Sequence, residues 1–352
     1  MIVPHQELKQ YTQTIFAAAG CSTAEATRVA EHLVEANLVG HDSHGVIRIA
    51  RYIQWLQEGK VVANQEVKVI LENDMLAVLD GQFGLGQSIG EQAVRIGLDK
   101  CSQQGISMVG LRDAGHLGRI GDWPLMAAQE NKISIHFVNT SGAGILVAPF
   151  GGVDRRLSAN PFAVGIPRPD QEPIILDISA CMMAEGKIRV ALHQGKLLPD
   201  GCIIDAAGNP ANDPKDFYAD PPGSILSIAG HKGYGLALVT EILAGALTGG
   251  GCSNVKNKER LANGMFSIYI DPQQFTADQP FHEEINRYVD YVKSSQTITP
   301  DGTIYMPGEI EAQTRSERCE NGIEVADTTW KQIYETAESL SVSDGLPQPT
   351  NQ

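Results

Sequence analysis

The sequence predicts an α/β protein with a mixed or largely parallel sheet in its middle and helical segments at both ends. Short β-branched runs alternate with helical segments between about residues 67 and 270, whereas helical periodicity dominates the first 60 residues and returns after residue 281. A chain of 352 residues is long enough for about two domains. We therefore expect an α/β domain over 76–280 and a helical unit in which residues 1–75 pack with residues 281–352.

The N-terminal helices are indicated by a capping box and an apolar stripe. Ser22 supplies an N-cap hydroxyl and Glu25 a carboxylate three residues later, and each can satisfy a free backbone N–H group. Apolar residues then recur at helical spacing to Leu38, and Gly40 ends the helix. A second helix is expected over 46–57, so that residues 41–45 form the connection.

The middle of the chain alternates between the two kinds of element. Strands are expected at VKVILEN (67–73), MLAVLDG (75–81), ISMVGL (106–111), ISIHFVN (133–139), FAVGIP (162–167), PIILDIS (173–179) and GMFSIYI (264–270). Helices are expected over 87–101, 179–192 and 233–248, and then over 281–294, 309–321 and 328–340. This order is typical of α/β architecture.

Composition narrows the classes of partner. The formal charge of −15 argues against nucleic acid or an anionic membrane surface, because both attract basic proteins. No run is long and apolar enough to suggest a membrane helix, and the polar N-terminus does not resemble a signal peptide. Six dispersed cysteines without a C-x-x-C pair suggest a reducing compartment, so we expect a cytoplasmic protein.

The glycine-rich segments do not carry a complete dinucleotide fingerprint. The run Gly84–Gly90 comes close, but its third glycine falls one residue late and no acidic residue follows at the usual distance. A Rossmann site is therefore disfavoured. The loops 115–121 and 306–311 each open a probable helix and could hold a pyrophosphate, the first with help from Arg119. A plain turn into a helix remains the simpler alternative for both.

The segment GHDSHGVIR (40–48) carries the clearest chemistry. His44 titrates near neutral pH and suits proton transfer at a hydroxyl, and Ser43 could orient its ring. Arg48, four residues later, would point the same way on a helix and could clamp a carboxylate in bidentate fashion. Together these groups suit a 2-oxo or 2-hydroxy acid. The alternative is a polar helix-to-helix connection in which His44 only caps.

Other polar positions allow two interpretations each. Asp177 at the end of a strand could raise the pKa of His44 and fix its tautomer, or could cap the next helix. His231 and Lys232 open an apolar helix and could hold phosphate, or could form an ordinary first turn. Because H-E-x-x-H and C-x-x-C are absent from the sequence, no metal is expected. A metal-dependent hydrolase or lyase using the histidines, and a non-catalytic binding protein, remain the alternatives to an oxidoreductase.

Several motifs in order resemble one known family, the malate/L-lactate dehydrogenases of the non-Rossmann type, and within it a bacterial hydroxycarboxylate dehydrogenase subgroup. They are HDSHGVIR (41–48), GHLGRIGDW (115–123), VAPFGG (147–152), SANPFAVGIP (158–167), LDIS (176–179), HKGYGLAL (231–238) and PGEIE (307–311). The resemblance implies a mixed-sheet nicotinamide-binding domain unlike the Rossmann fold, helical chain ends and a homodimer. It also implies NAD, with NADP as the alternative, and a small 2-hydroxy or 2-oxo acid as substrate.

The resemblance also implies roles for individual residues. His44 would be the acid/base and a neighbour of the nicotinamide, Ser43 would lie beside it, Asp177 would orient it, and Arg48 would bind the substrate carboxylate. His116 matches a histidine with a proton-acceptor role in some members. The positions that match cofactor contacts, besides His44, are Gly118, Arg119, Ile120, Ile175, Leu176, Asp177, Ile178, Ser179, His231, Asn263, Gly308, Glu309, Ile310 and Glu311.

Two departures from the family pattern bear on the substrate. Ser158 and Ala159 precede Asn160-Pro161 where members often have GTNP, and the stretch 139–144 is richer in glycine than expected. That stretch should lie near nicotinamide or substrate. Arg48 fits the broader family better than the hydroxycarboxylate subgroup, so the specificity of this chain is expected to differ from that subgroup.

Overall fold

A computed structural model describes residues 1–142, 144–254, 260–275 and 280–348. The α-helices are α1 (His5–Ala18), α2 (Thr23–Leu38), α3 (Ile49–Gln57), α4 (Gly86–Gln104), α5 (Asp122–Gln129), α6 (Glu185–Gln194), α7 (Pro214–Tyr218), α8 (His231–Glu241), α9 (Phe281–Lys293), α10 (Glu309–Asn321) and α11 (Asp327–Ser339). The strands are β1 (Ile2–Val3), β2 (Lys68–Glu72), β3 (Leu76–Asp80), β4 (Ile106–Ala114), β5 (Ile133–Ser141), β6 (Phe162–Ile166), β7 (Ile174–Ile178), β8 (Ile203–Ile204), β9 (Pro210–Ala211), β10 (Ser224–Ile225), β11 (Ala262–Ile270) and β12 (Ile323–Glu324).

Seven of the described strands form one mixed sheet in the order β2-β3-β4-β11-β5-β6-β7. The pair β3–β4, which α4 connects as a crossover, is parallel, and the other neighbouring pairs are antiparallel. The predicted mixed sheet is therefore confirmed, and the largely parallel alternative is wrong. The reason is that β11 returns from late in the chain and inserts between β4 and β5, antiparallel to both.

The glycines of the run Gly84–Gly90, which resembles a dinucleotide fingerprint, allow α4 to pack closely against its neighbours. A Cβ atom at Gly86 would lie 2.1 Å from the backbone oxygen of His116, and one at Gly90 would lie 2.5 Å from the Trp123 ring. Both distances are far below van der Waals contact, so α4 can pack this closely only without side chains at these positions. The glycine spacing of this segment thus follows from the approach of α4 to the start of α5.

Both chain ends contribute to one apolar core. Trp330 and Ile333 of α11 are buried in a cluster with Phe16 of α1 and Leu33 of α2. Strand β1 pairs with β12 in antiparallel register. The domain limits at 75/76 and 280/281 stay a prediction.

Several local predictions need correction. The Ser22 hydroxyl accepts from the Glu25 N–H group at 3.2 Å, but the Glu25 carboxylate accepts from Asn64 N–H at 2.6 Å and does not close a reciprocal box. The helix expected over 46–57 begins with a 3₁₀ turn, Val46–Arg48. Helix α8 continues as a π-helical segment, Ile242–Leu247, where a regular helix was expected.

The helix expected to begin at Ser179 starts at Glu185. Residues 180–182 pair with distant segments instead: Ala180 N–H donates to Ala159 O at 2.9 Å, and Ala180 O, which a helix would need as an acceptor, accepts from Ile228 N–H at 3.0 Å. Across the described ranges, no helix is both long enough and apolar enough to cross a membrane.

Candidate active site

The loop that carries His44 is built around one buried amide, that of Asn37 at the end of α2. Its Oδ1 accepts from Val46 N–H at 2.8 Å, and its Nδ2 donates to the Asp42 carboxylate at 2.6 Å. The Arg318 guanidinium of α10 donates to the same carboxylate at 2.6 Å. A Cβ atom at Gly45 would lie 2.1 Å from Asn37 Oδ1, so this loop conformation requires glycine there.

Two histidine rings face each other at the centre of the candidate site. The imidazoles of His44 and His116 are stacked, with centroids 5.4 Å apart and an angle of 4° between planes. His44 Nδ1 is buried and has no hydrogen-bond partner in the described part of the chain. A buried nitrogen without a partner is costly, which marks this ring as one that a ligand would complete.

Arg48 lies beside this pair and carries an uncompensated charge. Its Nε donates to the backbone oxygen of Ser43 at 2.6 Å, and no carboxylate of the described residues lies within ion-pair distance of its guanidinium. Ser43 itself lies under the first turn of α6, because a Cβ atom on Gly186 would be 3.6 Å from the Ser43 Cβ. The terminal nitrogens of Arg48 are therefore available to an anion.

The pKa of His44 is lowered to about 3, first by burial and then by the positive charges of Arg48 and His41. The carboxylate that acts in the opposite direction is Asp122, not Asp177. The influence of Asp177 on the pKa and tautomer of His44 stays a prediction. Asp177 Oδ2 instead accepts from Gly121 N–H at 2.7 Å, and burial raises the pKa of the Asp177 carboxyl.

Asp122 is the centre of a buried charge cluster that sequence reasoning missed. Its carboxylate accepts from Arg119 at 2.8 Å and contacts His32 Nδ1 at 3.0 Å. Arg119 is only 4% exposed, so its side chain is turned inward and does not present its charge to a phosphate as expected. The signal available in the sequence was the i,i+3 spacing of Arg119 and Asp122.

His116 is positioned by two buried residues, Tyr52 and Gln87, that the sequence did not indicate as site residues. Tyr52 Oη lies 2.5 Å from His116 Nδ1, Gly118 N–H donates to the same nitrogen at 3.3 Å, and Gln87 Nε2 donates to Tyr52 Oη at 3.3 Å. Tyr52 and Gln87 are almost completely buried. In the sequence, Tyr52 looks like an ordinary core position and Gln87 belongs to the glycine-rich run.

Two predicted cofactor segments meet at the edge strand β7. Ile175 N–H donates to Pro307 O at 3.0 Å, and a Cβ atom on Gly308, whose φ is +98°, would lie 3.3 Å from Ile175 N. Glu311 contacts His41 Nε2 at 3.4 Å, and Glu309 caps its own helix by accepting from Met306 N–H at 2.9 Å. The structure therefore brings the 306–311 loop, β7 and the His44 loop together. The other residues predicted here lie on the same two segments, namely Leu176, Ile178, Ser179 and Ile310.

Two other predicted cofactor residues are placed differently. The Asn263 side chain is buried, where its Oδ1 accepts from Leu117 N–H at 2.9 Å and its Nδ2 donates to Asn139 O at 2.9 Å. It thereby fixes the strand β11 to the loop that carries His116. His231 is exposed at the start of α8, and its ring packs edge-on against Phe150 with centroids 5.9 Å apart.

The two segments that depart from the family pattern, 139–144 and 158–161, both contribute to the surroundings of one buried carboxylate. Glu241 accepts from Asn160 Nδ2 at 2.7 Å and from Asn139 Nδ2 at 3.1 Å. Gly142 and Gly144 line a cleft of about 520 Å³ together with Arg155 and other residues. Ala143, within the glycine-rich stretch, lies outside the described residues, as does the side chain of His193.

No group of three His, Cys, Asp or Glu side chains among the described residues is placed to hold a metal ion.

Comparison with known proteins bears directly on this arrangement. The model of the family described as malate/L-lactate dehydrogenase matches residues 3–334. The chain belongs to the malate/L-lactate dehydrogenase family. The resemblance inferred from the motifs is thereby confirmed, and the protein is an oxidoreductase of that family. Nothing in the comparisons supports the metal-dependent hydrolase or lyase.

Individual members of the malate/L-lactate dehydrogenase family match over nearly the full chain. Hydroxycarboxylate dehydrogenase B of Escherichia coli O157:H7 is 38% identical over 351 residues, which cover 99% of this chain and 95% of the relative. L-lactate dehydrogenase of Cupriavidus necator is 32% identical over 338 residues, which cover 95% and 97%. The structure of malate dehydrogenase from Pyrococcus horikoshii superposes with a TM-score of 0.87 at 30% identity, covering 97% and 96%. The mixed-sheet fold expected from the resemblance is confirmed.

Proposed function

We propose that this protein transfers a hydride between NAD(H) and the 2-position of a small 2-hydroxy or 2-oxo carboxylic acid. The observation that carries the proposal is the buried Nδ1 of His44, which lacks a partner among the described residues, beside the guanidinium of Arg48, which has no ion-pair partner among them. An acid/base nitrogen and a cation in one pocket match the two polar groups of such an acid, its 2-oxygen and its carboxylate. Family membership supports the same class of reaction.

Arg48 is proposed to bind the substrate carboxylate. Its Nε is already fixed by Ser43 O, so the guanidinium is held in one orientation before substrate arrives. A bidentate ion pair then sets the distance between the carboxylate and the reacting 2-carbon. Ser43, next to the ring of His44, is proposed to help orient the bound acid.

His44 is proposed to move the proton of the 2-oxygen. Because its pKa is lowered to about 3, the free protein holds the ring neutral at pH 7, ready to accept a proton from a hydroxy acid. A bound carboxylate offsets the charge of Arg48, which otherwise lowers the pKa of His44. Binding of the acid therefore raises the pKa of His44 toward the range in which the ring can also donate a proton to a 2-oxo acid.

The nicotinamide cofactor would supply or accept the hydride when bound. We propose that it lies along β7 and the 306–311 loop, with Gly118–Ile120, Ile175–Ser179 and Gly308–Glu311 as its backbone cradle. Two features support this location. Gly308 closely approaches Ile175, and α10 begins directly after Gly308, where a helix N-terminus offers free N–H groups to a phosphate. NAD is proposed over NADP because a 2′-phosphate needs a dedicated basic partner, and the sequence motifs supply none.

A panel of 2-oxo acids tests the proposal. Pyruvate, oxaloacetate, hydroxyphenylpyruvate, ketopantoate and a cyclic imine acid are each mixed with purified protein and NADH, and the loss of NADH absorbance is followed. The panel is repeated with NADPH. We expect turnover of at least one acid and faster turnover with NADH. Absence of turnover throughout the panel, together with absence of fluorescence transfer to bound NADH or NADPH, would overturn the proposal.

We propose further that the protein is a cytoplasmic homodimer. The six cysteines are unpaired, which supports a reducing compartment. Helix α8 and the π-helical segment after it expose Leu238, Val239, Ile242 and Leu247, an apolar surface of the kind that subunits bury. Sedimentation equilibrium should give twice the chain mass, and Ile242→Glu should shift it toward the monomer. A wild-type monomer at all concentrations would contradict the dimer.

A further inference from the structure

The stacked histidines differ in what surrounds them. His44 Nδ1 has no partner within the described residues, whereas two groups converge on His116 Nδ1: Tyr52 Oη at 2.5 Å and Gly118 N–H at 3.3 Å. A backbone N–H can only donate, so the nitrogen that faces Gly118 is an acceptor. The proton of a neutral His116 ring must then reside on Nε2.

The surroundings of Tyr52 fix the direction of its own hydrogen bond. Gln87 Nε2 donates to Tyr52 Oη at 3.3 Å, so the phenol oxygen accepts from Gln87 and its proton is left for His116 Nδ1. Burial raises the pKa of Tyr52 to about 12, so the phenol keeps this proton at all physiological pH values. Burial and the charges of Arg48 and His44 hold the pKa of His116 well below its usual range.

We propose that Tyr52, supported by Gln87, is a positioning residue that holds His116 as the neutral Nε2–H tautomer, so that His116 donates a hydrogen bond to the substrate 2-oxygen while His44 alone exchanges the proton. This division of labour rests on the proposed function. It assigns to His116 a different part from the proton-acceptor role that the resemblance implied. Two adjacent imidazoles then act without competing for one proton, since only His44 changes protonation state.

The tautomer is measured first in the substrate-free protein. Long-range ¹H–¹⁵N correlation spectra distinguish imidazole Nδ1–H, Nε2–H and imidazolium, and His116→Gln identifies the His116 signals by their loss. We expect His116 to be the Nε2–H tautomer from pH 6 to pH 9. An Nδ1–H tautomer or an imidazolium in this range overturns the inference, and this result does not depend on whether any substrate is turned over.

Tyr52→Phe tests the positioning role, and Tyr269→Phe is the matched control. Tyr269 is also fully buried, and its ring packs edge-on against His136 in the sheet core and not against His44 or His116. In Tyr52→Phe we expect the Nδ1–H tautomer of His116 to appear. We also expect kcat to fall by about 3- to 10-fold with little change in KM, because one neutral hydrogen bond is lost. Tyr269→Phe should change neither. An unchanged tautomer and kcat in Tyr52→Phe contradict the role of Tyr52.

Substitution of His116 separates a donor from a base. Glutamine can place an amide N–H near the Nε2 position, whereas asparagine can place one only near Nδ1. We expect His116→Gln to retain about 10-fold more kcat than His116→Asn, because only the first restores a donor to the 2-oxygen. Equal, near-complete loss in both variants would show that His116 transfers the proton itself. If the wild-type protein holds His116 as the Nε2–H tautomer but turns over no substrate, only the proposed function is refuted.

Discussion

The imidazole rings of His44 and His116 lie within 4° of parallel, with their centroids 5.4 Å apart. The two residues come from different segments, a 3₁₀ turn after α2 and the loop after β4. Each ring lies in the electrostatic field of Arg48, which lowers both pKa values. Because a proton on one ring opposes a proton on the other, the pair holds at most one added proton near neutral pH.

Replacement of His44 should remove proton transfer while binding survives. We expect His44→Ala to reduce kcat by about 10²- to 10⁴-fold, the usual contribution of general acid–base catalysis. Fluorescence transfer to NADH should show a Kd within a few-fold of the wild type. His282→Ala, at an exposed position on α9, is the control and should behave as the wild type. Undiminished kcat in His44→Ala would remove the basis of the proposed mechanism.

Replacement of Arg48 should discriminate between substrates by charge. We expect Arg48→Ala to raise KM for 2-oxo acids by about 10- to 100-fold, since a hydrogen bond to a charged group is lost, and to change KM for neutral carbonyls far less. The control is Arg51→Ala, because Arg51 is exposed and hydrogen-bonds Gln54. An equal rise for charged and neutral substrates would show that Arg48 is not the carboxylate clamp.

Buried neutral histidines should make the fold sensitive to acid. The pKa of His136 in the sheet core is lowered from 6.5 to about 3 by burial. Between those values the unfolded chain binds a proton that the folded chain does not, so the free energy of unfolding rises with pH across this window and is lost as pH falls. Each such histidine contributes a slope of about 1.4 kcal/mol per pH unit.

Urea unfolding at a series of pH values between 4 and 6 measures this slope. His136→Gln keeps a polar side chain between Ser134 and Ser267 but cannot titrate. We expect the slope for His136→Gln to be smaller than that of the wild type by about one proton. Identical slopes in the two proteins would mean that His136 is protonated, or exposed, in the folded state.

The glycine at the start of α4 should be irreplaceable for a reason unrelated to phosphate. A Cβ atom at Gly86 would collide with the backbone oxygen of His116, so Gly86→Ala must move either α4 or the His116 loop. We expect a loss of about 1 to 3 kcal/mol in the free energy of unfolding, together with reduced kcat. Gly110→Ala on β4, where an added Cβ would lie at an ordinary contact distance of 3.5 Å from Thr248 Cγ2, is the control and should lose less stability than Gly86→Ala.

The sequence was sufficient to predict elements whose ends carry local signals. Helix α10 has the predicted bounds because glycines with positive φ, Gly308 and Gly322, flank it on both sides. The helix expected from Ser179 begins later because residues 180–182 hydrogen-bond to distant segments. No local pattern encodes such long-range backbone pairing, so propensity alone misplaced that boundary.

The residues of the candidate site also separate into those that a local sequence pattern identifies and those that meet only through tertiary packing. His44, Ser43 and Arg48 were identified because they lie within one short segment whose spacing suggests their chemistry. Tyr52, Gln87, His32 and Asp122 were missed as site residues because they lie on four different helices and meet only through tertiary packing. The hydrogen bond from Gly121 N–H to the Asp177 carboxylate could not be predicted for the same reason, and the role of Asp177 toward His44 stays a prediction.

The ion pair between Asp42 and Arg318 has a consequence for biosynthesis. The loop bearing His44 is synthesised before the sheet, but the guanidinium that binds it belongs to α10, which follows the sheet in the chain. Domains generally fold as they emerge, so most of the sheet can assemble while this loop still lacks its tether. We therefore expect the loop bearing His44 to acquire this tether only after α10 has been synthesised, later than most of the sheet.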